Sequence, residues 1–185
     1  MGNSLTKAKQ KHLIVFTDIK RYTLTTVNDH YSGYQTESTS VDLTGTLAQG
    51  TADTTAGAYY GLYYGRMVPY AATLTKFRAQ LLNNMSSNPE EVSTDIWKFT
   101  PATDNGMVIA TSAIDHIGTI EFPDTSDGSY IHTSLNCSSL DATAKVFNEG
   151  DYLLITARRA GGTDSTYAYV NSTVVFEVKN SDINN

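Results

Sequence analysis

The second half of this 185-residue chain is a succession of short segments in which apolar residues recur at every second position. That period suits a pleated strand with one buried face and does not suit a helix. From Thr75 onward, Thr75, Phe77, Ala79 and Leu81 fall on one face and Lys76, Arg78 and Gln80 on the other. Further strands are expected over 94–100, with Trp97 and Phe99 sharing a face, and over 107–114, 117–122, 130–135 and 143–147. The most apolar run, 152–157, follows. A closing strand over 167–178 turns Val174, Phe176 and Val178 inward and Thr173, Val175 and Glu177 outward. Turn formers separate these runs: Asn88-Pro89, Asp104-Asn105-Gly106, Asp115-His116, Pro123 to Gly128, Asn148 to Asp151 and Ala160 to Asp164. No segment keeps a helical period and no repeat is present. About eight strands at this spacing predict an all-β fold, an antiparallel β-sandwich of jelly-roll or Greek-key type.

The first third of the chain reads differently. Leu13, Ile14, Val15 and Phe16 form an apolar burst, followed by Tyr22, Leu24 and Val27, enough for one or two short strands in or beside the main sheet. Residues 29–58 are polar, with a single alternating segment from Val41 to Leu47. So long a polar stretch is unusual inside a compact domain. It is expected to belong to an extended N-terminal arm, 1–57, that orders against a neighbouring subunit. The sandwich is then expected over 58–179, with a short tail over 180–185. Tyr59, Tyr60, Tyr63, Tyr64 and Tyr70 cluster at the junction. They suit either an outer core layer or an aromatic patch between subunits.

Charge is unevenly placed. Through Arg21 the chain carries five basic residues (Lys7, Lys9, Lys11, Lys20, Arg21) against Asp18, yet its net charge is −6. An acidic body with a basic tip argues against a nucleic-acid partner. The attachment site of the arm is expected to combine Lys7, Lys9 and Lys11, which steer, with Leu13, Ile14, Val15 and Phe16, which anchor by burial. No apolar run is long enough to span a bilayer, so no membrane partner is expected. The N-terminal Met-Gly-Asn-Ser-Leu-Thr fits the myristoylation pattern, a short motif that often arises by chance. No secretory signal is recognisable, which implies synthesis in the cytoplasm.

Nothing in the sequence assembles a reaction centre. The histidines (His12, His30, His116, His132) have no ligand-spaced partners, and neither a nucleophile elbow nor a phosphate-binding glycine pattern occurs. Asp124 and Asp127 could share a calcium loop with Asp115 or Asp164, but Asp-rich turns are usually only turns. Asp95, Glu121 and Glu149 are conceivable as an acid/base pair for glycoside cleavage, at separations that sequence does not define. Cys137 is expected to be a small buried hydrophobe. No catalytic residue, cofactor or metal is assigned, and the chain is expected not to be an enzyme.

Three segments carry a family likeness: Arg66 to Leu81, Phe147 to Ala157 and Tyr169 to Glu177. With the Val68-Pro69-Tyr70 opening, Gly150-Asp151-Tyr152-Leu153 and the closing Val174-Val175-Phe176, they resemble a β-sandwich module of tailed-bacteriophage virions. Ala72 stands where such modules often have glycine. The likeness covers roughly 59–179. It implies a capsid decoration (cement) protein, with the major capsid protein or other virion proteins as partners and homotrimeric association. It also implies a virion location after synthesis in the host cytoplasm. The alternative it leaves open is a tail- or fibre-associated module that binds host-surface carbohydrate.

Overall fold

The computed structural model describes residues 12–24, 30–31, 65–84, 92–101, 113–122, 130–159 and 166–178. Ten strands run through them: β1 (Leu13–Leu24), β2 (His30–Tyr31), β3 (Arg66–Met67), β4 (Ala72–Asn84), β5 (Val92–Thr100), β6 (Ala113–Glu121), β7 (Tyr130–Leu135), β8 (Val146–Phe147), β9 (Tyr152–Arg159) and β10 (Thr166–Val178). One sheet has the order β1-β10-β4-β7, with β8 pairing β4 beyond β7. The other has the order β2-β9-β5-β6, with β3 pairing β9 beyond β2. Every pairing is antiparallel. Among the described residues the chain passes repeatedly from one sheet to the other, and β10 returns beside β1. This is the antiparallel β-sandwich expected from the strand pattern, with the strand order of a double-sheet jelly roll.

The core fills the space between the sheets. From the first sheet come Leu74, Phe77, Leu81, Val170, Val174 and Phe176; the second supplies Val92, Ile96, Ile117, Leu153 and Ile155. Phe176 is its centre, meeting Phe147 edge-on at 4.9 Å and Phe16 at 6.0 Å between ring centroids. At one end, Lys98 of β5 reaches across to the carbonyl of Val146 in β8, 3.4 Å away, and ties the sheets together. Gly150, at φ 86°, closes the turn before β9. Its N–H bonds the carbonyl of Val68, whose own N–H bonds that of Asp151. The Val68-Pro69 segment is thereby sewn to the turn.

Three expectations change. Asp115-His116 is no turn, because β6 runs unbroken through it. The expected strand over 143–147 is mostly a turn, and only Val146–Phe147 pairs. Thr75 does not share the face of Phe77: the β4–β10 register slips there, Leu74 takes the inward place, and the exposed Thr75 donates its hydroxyl to the Val175 carbonyl at 3.0 Å. The expected domain limits also meet the sheet itself. β1 pairs β10 along its whole length and β2 pairs β9, so these parts of 1–57 lie in the sandwich. The tail, 180–185, lies outside the described residues.

Two substitutions probe this packing. A side chain at Gly118 would begin 2.7 Å from Leu135 Cδ2 and 3.3 Å from Leu140 Cδ2, so Gly118→Val should cost about 1–3 kcal/mol in chemical denaturation. In the β7–β8 connection, the hydroxyl and N–H of Thr143 and the N–H of Ala144 donate to Asp141, holding its carboxyl below the usual range. A carboxyl depressed by folding stabilises above its ordinary value and ceases to as pH falls through the depressed one. The stability gap between wild type and Asp141→Asn, followed by thermal melts, should therefore narrow below about pH 4.

Candidate functional site: an exposed edge and a buried polar tie

β1 is an edge strand among the described residues, with β10 on one side. Alternation divides its apolar burst between two faces. Ile14 and Phe16 turn inward and pack on the core, opposite Phe176 and Val174 in register. Leu13, Val15 and Ile19 point out and are 56%, 55% and 71% exposed. The anchor expected of Leu13, Ile14, Val15 and Phe16 together is thus split. Two of the four are committed to the sandwich, and Ile19 joins the exposed pair instead. A row of large aliphatic side chains on the outside of a long edge strand is an aggregation hazard unless something covers it.

Of the other expected attachment residues, Lys7, Lys9 and Lys11 lie outside the described residues, as do Tyr59, Tyr60, Tyr63 and Tyr64. Tyr70 is described, and it is half exposed beside β4. Glu121 and Glu149 are exposed, on β6 and in the turn before β9.

The densest polar cluster lies on the face of β5 turned away from the core. β5 is buried on both faces over most of its length. Asp95 sits there with its side chain 2% exposed. It accepts from Thr119 Oγ1, lies 3.0 Å from His116 Nε2, and is 3.3 Å from Arg158 Nε. A bulge makes this possible. Ile96 faces Gly118 and Trp97 faces His116, leaving Ile117 as the extra residue of β6. In a regular strand His116 and Thr119, three apart, would point to opposite faces; the bulge brings both to Asp95. Trp97 packs on the His116 ring at 4.6 Å and donates its indole N–H to Thr156 Oγ1 at 2.9 Å.

The cluster has the residue types of a hydrolytic triad but not the connectivity. A relay holds the carboxylate on one imidazole nitrogen and the hydroxyl on the other. Here Asp95 and Thr119 both address Nε2, the latter at 3.2 Å. The arrangement ties β6, β5 and β9 together across the sheet. In the sequence, the Asp115-His116 pair suggested only a turn, and the bulge that recruits His116 has no local signature. Among the described residues no group of His, Cys, Asp and Glu has the geometry of a metal site. Cys137 is buried, its thiol pushed up by burial and aimed at the Leu135 carbonyl, 3.7 Å away.

No family model matches this chain, and no curated protein does. Among solved structures it is similar to a chain of desmodium yellow mottle tymovirus, at 13% identity and a TM-score of 0.30, over 92% of this chain and 90% of that one.

Neighbouring residues on one face of β5 should respond in opposite directions. Asp95→Ala removes the buried carboxylate shared by His116, Thr119 and Arg158 and should cost about 3 kcal/mol in urea unfolding. The Ser93 hydroxyl is buried without a hydrogen-bond partner. Ser93→Ala should leave stability unchanged or raise it by up to about 1 kcal/mol.

Proposed function

We propose that this chain is a virion structural protein, and specifically a capsid decoration protein that binds the major capsid protein of a tailed bacteriophage and reinforces the shell as a homotrimer. The observation that supports this is the exposed aliphatic row Leu13, Val15 and Ile19 on the β1 edge of a jelly roll. Jelly rolls recur in viral shells. An aliphatic edge fits a protein whose working state is an assembly, in which a neighbour covers it or adds a strand to it. The likeness of 59–179 to phage β-sandwich modules supplies the finer assignment.

The energetics favour β1 over the basic tip as anchor. Covering three half-exposed aliphatic side chains contributes on the order of 3 kcal/mol, and each screened lysine pair at most about 1 kcal/mol. Threefold association multiplies the first term through avidity. A second reading, a tail or fibre module that binds host-surface carbohydrate, is favoured by a different observation, the polar groove on the outer face of the same sheet.

The test is a particle-binding assay with the full chain. Val15→Asp with Ile19→Asp, both outward, should leave the melting temperature nearly unchanged and reduce binding at least about tenfold. Ile14→Asp or Phe16→Asp should instead lower the melting temperature, because those side chains pack on the core. Undiminished binding by the outward double variant would refute the edge as anchor. A copy number of a few dozen per particle instead of hundreds would refute decoration.

A further inference from the structure

The outer face of the β1-β10-β4-β7 sheet carries a groove of about 400 Å³. Its walls are Arg78 and Gln80 of β4, Asn171 and Thr173 of β10, and Ser134 of β7. Register sets them in two rows across the strands: Thr173, Arg78 and Ser134 in one, Asn171 and Gln80 in the next. Neighbours within a row stand about 5 Å apart, and the rows are separated by about 7 Å. That grid is comparable in size to one sugar ring with its substituents.

The chemistry of the walls is specific. Two side-chain amides and two hydroxyls can each donate and accept, as vicinal hydroxyl groups require. Among the described residues, no hydrogen bond joins these side chains to one another, and no carboxylate lies within ion-pair distance of Arg78. Arg78 is exposed on the sheet, and Lys76, also exposed, stands two residues before it on the same strand. Glu177, the nearest outward acid on β10, is registered with Thr73, beyond Lys76. This local positive excess stands out on a chain of net charge −6. Tyr169 continues the outward row of β10 beyond Asn171, where a ring could meet the apolar face of a sugar.

We propose that this groove binds a carboxylated saccharide, of the uronic- or sialic-acid type, with Arg78 forking the carboxylate and Gln80, Asn171, Ser134 and Thr173 meeting the hydroxyls. The planar guanidinium matches a carboxylate through two parallel hydrogen bonds, which a lysine cannot reproduce. Neutral sugars lose that pair and keep the rest. The inference rests on the carbohydrate-binding reading and narrows it to acidic glycans. Single-site affinity is weak in so open a groove, and a trimeric or multi-copy display strengthens it.

The experiment titrates the full, isotope-labelled chain with methyl glycosides of glucuronic acid and N-acetylneuraminic acid, with methyl glucoside and acetate as controls. At least one acidic glycoside should shift the amide resonances of Arg78, Gln80, Ser134 and Asn171, with a Kd on the order of 1 mM. Methyl glucoside should bind at least about tenfold more weakly, and acetate should not saturate in that range. Arg78→Gln should lower the acidic glycoside to the glucoside level without changing the melting temperature, and Arg78→Lys should fall between. Equal binding of acidic and neutral glycosides overturns the acidic preference and leaves the carbohydrate reading standing. No shift with any sugar overturns both. Acetate as strong as the glycosides, or shifts on another face, overturns the assignment of a saccharide to this groove.

Discussion

The structure depends on β10 being paired along both edges. Its 13 residues lie between β1 and β4, so the last of the described strands holds the first in place. Closing so long a loop costs conformational entropy before any contact offsets it. The offset comes from the inward row of β10: Val170, Val174, Phe176 and Val178 are all buried, and Phe176 meets rings from β1 and β8 at once. Stability of the edge, of the core and of the groove on the outer face therefore share one strand.

That arrangement assigns the two faces of the first sheet different work. The inward face, Ser172 apart, is apolar and packs against the second sheet. The outward face is a field of Thr, Asn, Gln and Arg side chains bordered along β1 by Leu13, Val15 and Ile19. A polar centre beside an aliphatic edge provides two separate surfaces, one for solvated recognition and one for contact that excludes water. In the second sheet the polar groups around Asp95 are engaged with one another and hold β5, β6 and β9 in register.

Much of this was legible in the residues themselves. The period-two alternation of 77–81 and 174–178 specified both strand and inward face, because a pleated backbone leaves no other way to bury every second side chain. The all-β sandwich followed from the number and spacing of such runs. The aliphatic burst at 13–16 was visible as well, and alternation divides it between two faces, yet only pairing with β10 says which half is inside.

What the sequence determined by itself was local: where strands begin, which residues break them, and which side chains share a face. Tertiary structure decided what local pattern does not encode. It put 13–24 into the sandwich, since pairing with a strand some 150 residues away has no signature in either segment alone. It moved Thr75 out of the inward row and carried His116 and Thr119 to one side of β6, because a bulge is a mismatch between two strands and exists only once they are paired. And it set Arg78 beside Ser134 and Thr173, residues from three distant segments that only the register of the sheet makes neighbours.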